Sequence, residues 1–297
     1  MADASLLWPV FTIIAAAAQT VRNATQRDLT QTLGTVGATH IRFLFGFPFA
    51  LLFLFVIMVV LAQPFPATPL LFWIWVIGAA LAQIAATALM LAAMAERSFV
   101  VVYAYIKTEP VQAALFGLLF LGDRLTALVA AAILIATVGV VVMALKPGTA
   151  FGIRPTLLGI AAGGMFALSA VGFRGAILNL GLSGFVLPAT FTLAIALLVQ
   201  AALLSVYLAL RSPDVLRSIA RAWRPSLLAG FMGALASQFW FLAFALSSAA
   251  NVRTLALVEV LFAQGVSHFV FKQPVLAREA IGIVLVVVGV ALLLYGS

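Results

Sequence analysis

The sequence predicts an all-α integral membrane protein with ten transmembrane helices, arranged as two inverted five-helix repeats around a central cavity. Three observations lead to this fold class. The 297-residue chain is 65% hydrophobic and only 8% charged, with a mean hydropathy of +1.25, which is typical of a membrane protein and not of a domain folded in water. Its apolar runs have the length of membrane spans. Its second half resembles the first at one fixed offset.

Each predicted span is an unbroken apolar run. A helix needs about 20 residues to cross a hydrocarbon core of about 30 Å, and lipid admits only helices or closed barrels. The runs in this chain are long enough for helices. Five spans are predicted in the first half: Leu6–Gln26, Gly34–Leu61, Pro69–Met94, Ser98–Leu121 and Leu125–Lys146. Five follow in the second half: Pro155–Leu180, Ser183–Leu210, Pro225–Leu246, Asn251–Phe271 and Leu276–Tyr295.

The connections between these spans are mostly very short. The first apolar run has no basic region before it, so we take it as a span and not as a signal peptide. Turns such as 122–124 and 272–274 are so short that consecutive helices must be antiparallel neighbours. The longest polar break, Arg211–Arg224, has four arginines and one acid and predicts a short helix lying at the membrane surface. The segment Lys146–Pro155 joins the two halves.

The two halves are related by a shift of 150 residues. This shift superposes three pairs of residues: Glu109 on Glu259, Gly139 on Gly289, and Ser98 on Ser248. Because each half has five spans, an odd number, the second half enters the membrane with the opposite orientation. We therefore predict two inverted repeats, 1–147 and 148–297, with one site between them near the bilayer midplane.

The composition excludes several kinds of site. The chain has no cysteine, so disulfides, thiolate catalysis and cysteine-ligated metals are excluded. Its two histidines are far apart and no carboxylate pair has metal-ligand spacing, so we predict no metal, no cofactor and no catalytic residue. The pI is near 10.9, but the sixteen lysines and arginines are scattered singly at span ends. Membrane topology explains this charge better than a nucleic-acid partner does.

Three local features accompany the ten-span pattern: the Glu109-Pro110 pair entering an apolar helix, the turn 121–125 (LGDRL), and Gly139 in the last span of its half. In this combination nearly the whole chain resembles the EamA-type drug/metabolite transporter superfamily, and within it most closely the YddG-type amino-acid exporters of bacterial inner membranes. The resemblance implies export of aromatic amino acids and similar metabolites. The second half departs from the pattern, with Val260 in place of the proline and KQP at 272–274 in place of the turn.

Polar residues inside the spans cost free energy in lipid, so they must face protein or a wet cavity. In span one they recur at helical spacing and share one face: Thr12, Gln19, Asn23 and Gln26. We assign this stripe to the cavity and take Gln19 and Asn23 as substrate-binding residues. The alternative is that the stripe only makes hydrogen bonds between helices.

Span four has a second polar face, formed by Tyr105, Glu109, Gln112 and Phe116. Three roles are open for Glu109: binding a substrate ammonium, exchanging a proton, or forming a structural ion pair with Lys107 or a distant arginine. An ion pair with Lys107 is disfavoured, because two positions of separation place the side chains on nearly opposite faces. Pro110 is expected to kink this helix.

Span nine has the matching acid, Glu259. If no cation held this glutamate, burial would favour its neutral form, which is the physical basis of our proton-coupling hypothesis. Arg253 opens the span, and a guanidinium suits a carboxylate. Arg253 together with Glu109 or Glu259 would therefore match both charges of an amino acid. Gln264 and His268 share a face further along, and we predict that His268 is a hydrogen-bonded bystander.

Aromatic and small polar residues provide candidate walls for an apolar or aromatic side chain. The residues that we take as substrate-binding on this ground are Trp240 and Phe244 in span eight, Gln83 and Thr87 in span three, and Tyr103 and Tyr105 in span four. With Gln19, Asn23, Glu109, Arg253 and Glu259, they complete the predicted site.

These features favour a secondary transporter that exports amino acids, especially aromatic or apolar ones, or related small metabolites, by alternating access. The alternative is an intramembrane enzyme acting on a lipid-linked substrate, which would ordinarily need a clustered catalytic site. The expected partners are the lipid bilayer, a small-molecule substrate and, in one hypothesis, protons as the coupling ion. A monomer and a homodimer both stay open.

The basic residues predict the orientation. Twelve lysines and arginines lie near span ends on one side of the predicted topology, against Arg124, Arg174 and Arg253 on the other. By the positive-inside rule, this bias places both termini in the periplasm of a bacterial inner membrane. The family resemblance instead implies that both termini are inside. We follow the charge bias.

Overall fold

The structure is a computed structural model that describes residues 4–97, 99–144, 152–269, 272 and 276–297. Within these ranges the chain forms helices and turns, with no strand. Seven of the described helices have the length and apolar character needed to cross a membrane: Val36–Leu61, Leu70–Glu96, Ala127–Ala144, Ile153–Asn179, Val186–Arg211, Trp223–Leu246 and Ala277–Gly296. The predicted class, an all-α multi-pass membrane protein, is thereby confirmed.

The described residues form thirteen α-helices: α1 (Trp8–Leu44), α2 (Gly46–Leu61), α3 (Leu70–Glu96), α4 (Phe99–Ile106), α5 (Glu109–Phe116), α6 (Ala127–Ala144), α7 (Ile153–Asn179), α8 (Val186–Arg211), α9 (Pro213–Arg221), α10 (Trp223–Leu246), α11 (Ala249–Leu255), α12 (Glu259–Phe269) and α13 (Ala277–Gly296). Three shorter turns of helix accompany them: 3₁₀ turns at Ala4–Leu7 and Ala256–Val258, and a π turn at Gly117–Leu121.

Seven of the predicted spans, the second, third, fifth to eighth and tenth, correspond to these long apolar helices. The other three are not among these seven. The first span lies in the part of α1 before Gly34, where a non-helical conformation kinks α1 between the first and second spans. The fourth is divided into α4 and α5, and the ninth into α11 and α12.

Gly34 lies inside α1 with φ +68° and ψ 173°, a conformation that is essentially restricted to glycine. No atom lies within 4 Å of the position that a Cβ would take there, so substitution would act on the backbone alone. We expect Gly34→Ala to lower the free energy of unfolding by about 1–3 kcal/mol, measured by thermal unfolding in detergent. Gly78→Ala in α3, where an added Cβ also meets no atom within 4 Å, should be neutral or slightly stabilising. Equal effects of the two changes would contradict this explanation.

The residues pack as two compact units, and neither is one of the sequence halves. The first unit comprises Met1–Leu81 and Gly172–Leu246, and the second comprises Ala82–Val171 and Ser247–Ser297. Each unit therefore takes segments from both halves. The predicted division at residue 147 concerns the repeats and stays a prediction.

In the first unit, α1 lies along α10, and α2 packs against α8 and α10. One buried apolar cluster joins α1, α8 and α10 to α9: Leu33, Ile41, Leu208, Ile219 and Ala229. The short helix predicted in the long polar break is observed as α9, and its position at the membrane surface stays a prediction. Its apolar residues Val215 and Leu216 pack against this cluster, while Asp214 and Arg217 are exposed.

In the second unit, α6 lies along α13 over almost its whole length. Glycines bring the two backbones together. An added Cβ at Gly139 would lie 2.8 Å from the carbonyl oxygen of Gly282, and one at Gly289 would lie 2.6 Å from the backbone nitrogen of Ala136. Both distances are shorter than a real Cβ permits, so these positions need glycine while the helices keep this spacing.

Candidate functional site

Two helices of the second unit are interrupted at an acidic residue. After α4 ends at Ile106, the chain makes a turn at Lys107 and Thr108, and α5 begins at Glu109. Pro110 lies in the first turn of α5, where its missing N–H costs no helical hydrogen bond. The predicted kink is therefore a complete break. In the other helix, a 3₁₀ turn at Ala256–Val258 separates α11 from α12, which begins at Glu259.

Both glutamates consequently lie in the first turn of a helix. Unpaired backbone N–H groups and the helix dipole make this end favourable for a negative charge. Glu109 and Glu259 are both largely buried, at 9% and 8% exposure. A carboxylate in that position still needs a cation or a proton, because backbone dipoles alone do not replace its lost hydration.

Glu259 is held by two groups from the α4 segment. The ammonium of Lys107 forms an ion pair and hydrogen bond with Glu259 Oε1. The hydroxyl of Tyr103 donates to the same oxygen at 2.7 Å. The Lys107 ammonium also lies 4.8 Å from the centre of the Tyr103 ring, within range of a cation–π interaction.

Glu109 is held by a group from the α11 segment. Arg253 Nε lies 2.9 Å from Glu109 Oε1. This is an ion pair by distance, but its N–H does not point at the oxygen well enough to count as a hydrogen bond.

The two sets of contacts cross over. Tyr103 lies six positions before Glu109 but contacts Glu259, while Arg253 lies six positions before Glu259 but contacts Glu109. A shift of 150 residues exchanges one contact with the other. We name the five residues that take part, Tyr103, Lys107, Glu109, Arg253 and Glu259, the crossed ion-pair cluster.

The crossed ion-pair cluster contains two cations and two carboxylates, so its formal charge is zero. Its four charged side chains are 9–16% exposed. Charged groups buried in membrane helices are costly, and one whose partner is removed is costlier still. The arrangement offers carboxylates to a ligand ammonium and cations to a ligand carboxylate, side by side.

The structure gives the partners of the two glutamates in one conformation. Glu109 pairs with a distant arginine and not with Lys107, as the helical spacing predicted. Glu259, considered in the sequence as a glutamate without a cation, is held by Lys107. The condition on which proton coupling at Glu259 was based is therefore not met in this conformation.

Lys107 is the one member of the crossed ion-pair cluster that was not among the predicted site residues. A signal was present in the sequence, since this lysine lies in the middle of a predicted span while the other basic residues lie near span ends. Its partner could not be recognised, because Lys107 and Glu259 are 152 positions apart.

The other predicted residues of the second unit have contacts of their own. Tyr105 is buried against Gly159, where an added Cβ would lie 2.7 Å from Tyr105 Cβ. Thr87 donates its hydroxyl to the carbonyl oxygen of Gln83 in the same helix, at 3.0 Å. These contacts are those of helix packing, and they do not bring Tyr105 or Thr87 into the crossed ion-pair cluster.

Three predicted residues come together in the first unit. Trp240 Nε1 donates to Gln19 Oε1 at 3.2 Å, and the indole of Trp240 stacks on the ring of Phe244 at 6.4 Å. Arg174 donates to the backbone carbonyl of Phe244 at 2.6 Å. Gln19 thus makes an interhelical hydrogen bond, which was the alternative to a cavity role for its stripe. The side chain of Asn23 lies outside the described residues, as do those of Gln26 and His268.

Comparisons with known proteins show the fold. No family model matches the chain, and no curated protein matches its sequence. Among solved structures, 28 chains match. One of them, a crystal structure described only as that of a protein, aligns over 99% of both chains with a TM-score of 0.72 and 16% sequence identity. At this identity the likeness concerns the fold alone.

Proposed function

We propose that this chain is a secondary transporter that exports amino acids, especially aromatic or apolar ones, or related small metabolites by alternating access. The proposal depends on one observation, the crossed ion-pair cluster. Buried charges inside membrane helices are expensive and are a functional-site hypothesis by default. Interrupted helices at such a site are typical of secondary transporters, because their free ends can serve a substrate.

The chemistry of the cluster matches a zwitterion. An amino acid carries one ammonium and one carboxylate, and the cluster has glutamates for the first and Lys107 and Arg253 for the second. The ligand would exchange protein–protein ion pairs for protein–ligand ion pairs. Binding would therefore leave every charge of the cluster with a partner, which limits the desolvation cost.

The ten-span topology, the inverted repeats and the relation to EamA-type, YddG-like exporters belong to the same proposal. Reciprocal contacts support the repeats. Besides the crossed ion pairs, Gly139 faces Val286 while Gly289 faces Ala136, and a shift of 150 residues again exchanges the two contacts. Such exchange is what a two-fold relation between copies requires. In this proposal the substrate path lies between the two repeats.

Counterflow in proteoliposomes tests the function. Vesicles containing the purified protein are loaded with unlabelled phenylalanine, tryptophan, threonine or methionine, and uptake of the labelled amino acid is followed. We expect exchange with phenylalanine or tryptophan, and none in protein-free vesicles. Phenethylamine and phenylpropionate, which each keep one of the two charges, should compete poorly. Absence of exchange with every amino acid would refute the proposed substrate class.

Proton coupling is a separate part of the proposal. Since Glu259 is ion-paired, a proton must compete with Lys107 for it during transport. We expect an imposed pH gradient to drive net uptake in the wild type, and Glu259→Gln to remove this dependence. If uptake ignores the gradient in both proteins, transport is facilitative and the coupling hypothesis is wrong.

Orientation is the third part of the proposal, with the chain in a bacterial inner membrane and both termini in the periplasm. Because the chain has no cysteine, single cysteines report directly on sidedness. We expect Ser297→Cys to react with a membrane-impermeant maleimide in intact cells. Asp214→Cys, at a site whose native side chain is 87% exposed, should react only after permeabilisation. The reverse pattern would place the termini inside.

One contact favours the rival function, an intramembrane enzyme. Ser205 Oγ lies 3.0 Å from Nε2 of the buried His40 in the first unit, as a nucleophile and its base would. The other nitrogen of His40 has no hydrogen-bond partner among the described residues, so the imidazole lacks the orienting group of a triad. Ser205→Ala should leave counterflow unchanged, because Ser205 is not part of the crossed ion-pair cluster.

A further inference from the structure

One end of the first unit carries four exposed arginines close together in sequence. Arg211 ends α8, Arg217 and Arg221 lie on α9, and Arg224 lies in the first turn of α10. We call these four residues the basic corner. The only acid in the segment 211–224 is Asp214, which pairs with Arg217 at 2.7 Å. The segment therefore has an excess of three positive charges.

The packing of α9 keeps the arginines on its exposed face. Ile219 is fully buried on the opposite face of α9, and Val215 lies so close to α1 that an added Cβ at Gly37 would be 3.0 Å from Val215 Cγ1. The short helix is thus seated by its apolar face. Its polar face, with Arg217 and Arg221, cannot turn inward without exposing Ile219.

The residues beside the basic corner indicate where the membrane begins. Leu210 and Tyr207 on α8 are 79% and 52% exposed, and Leu228 on α10 is 51% exposed. Such residues suit a lipid environment. Trp223 lies in sequence between Arg221 and Arg224 and is 48% exposed, and the guanidinium of Arg224 lies 5.3 Å from its ring centre. Tryptophan in that position is typical of the membrane–water interface.

We propose that the basic corner binds the phosphate headgroups of anionic phospholipids. A basic amphipathic helix with a neighbouring tryptophan lies in the headgroup plane, and guanidinium groups match phosphate in geometry and charge. The ligand class is a membrane-anchored phosphodiester such as phosphatidylglycerol, and the acyl chains would lie along the exposed leucines of α8 and α10. This inference does not depend on the transport proposal.

Trp223 provides the measurement. The full-length protein in mixed micelles is titrated with acyl-brominated phosphatidylglycerol or with brominated phosphatidylcholine, and quenching of tryptophan fluorescence gives the relative affinity. We expect quenching to favour phosphatidylglycerol, and this preference to vanish in Trp223→Phe. A preference that persists in Trp223→Phe would place the anionic lipid elsewhere and overturn the proposal, as would equal quenching by both lipids.

Charge variants test the residues. Each arginine near an anionic surface is worth about fivefold in affinity, so combining Arg211→Gln, Arg217→Gln and Arg221→Gln should weaken phosphatidylglycerol binding on the order of 100-fold and spare phosphatidylcholine binding. Asp214→Asn removes the acid that pairs with Arg217 and should therefore strengthen phosphatidylglycerol binding a few fold. Damage to the fold would not strengthen binding. Arg124→Gln, an exposed arginine of the second unit, is the matched control and should have no effect.

Two outcomes would overturn the proposal at this stage. One is an unchanged lipid preference in the triple variant. The other is displacement of the brominated phosphatidylglycerol by inorganic phosphate at equal concentration, because the ligand would then be a soluble anion and not a lipid.

Discussion

Lys107→Met is expected to abolish counterflow and to lower the free energy of unfolding by about 3–5 kcal/mol. The substitution removes the ammonium that is ion-paired with Glu259 and leaves this carboxylate buried in a membrane helix. An uncompensated carboxylate there has lost its cation and cannot recover full hydration. Thermal or denaturant unfolding in detergent measures the stability, and proteoliposome exchange measures the transport.

A double variant separates structural from functional effects. Lys107→Met combined with Glu259→Gln removes both charges, so most of the lost stability should return. Transport should not return, because the ligand has lost two of its four charged partners. The exposed pair of Arg154 and Glu96, 3.0 Å apart, is the control, and Arg154→Gln should change stability by at most about 1 kcal/mol. If the double variant regains full exchange, the pair is only structural.

Gly139→Ala and Gly289→Ala should each lower the free energy of unfolding by about 1–3 kcal/mol. The atoms that an added Cβ would meet are backbone atoms of the facing helix: the carbonyl oxygen of Gly282 for Gly139, and the nitrogen of Ala136 for Gly289. Backbone atoms cannot rotate away as a side chain can, so α6 and α13 must separate. Thermal unfolding in detergent measures the effect.

The two glycine substitutions have a shared control and a joint test. Gly78→Ala introduces the same methyl group where it meets nothing within 4 Å and should not destabilise. Because both substitutions push apart the same pair of helices, their effects should be less than additive. Full additivity in the double variant would show that the helices do not move as one packed pair.

The apolar pattern predicted most of the helices because span length follows the thickness of the membrane. For example, Pro225–Leu246 was predicted and Trp223–Leu246 is observed. The break before Glu109 was also signalled, by the proline that follows it. The break before Glu259 was not, because the 3₁₀ turn at Ala256–Val258 contains neither proline nor glycine and local propensity gives no warning of it.

The candidate site was predictable in part. The sequence predicted Glu109 and Glu259 as acids inside apolar spans, Arg253 as a guanidinium suited to a carboxylate, and Tyr103 as an aromatic wall. It could not assign partners, since the pairing of Glu109 with Arg253 and of Lys107 with Glu259 depends on how distant spans cross. The grouping of helices into the two units could not be predicted either, because the periodicity of a span does not show which other helices it packs against.

Each compact unit contains helices from both halves of the sequence, and this affects how the protein folds during synthesis. During synthesis α1 leaves the ribosome long before α10, and α6 long before α13, yet these are the helices that lie along each other. Inserted early segments must therefore wait in the bilayer without their final neighbours. Such delayed long-range pairing slows folding and exposes nascent chains to misassembly. Fragments 1–147 and 148–297, expressed separately, should consequently be unstable alone and should assemble when produced in the same cell.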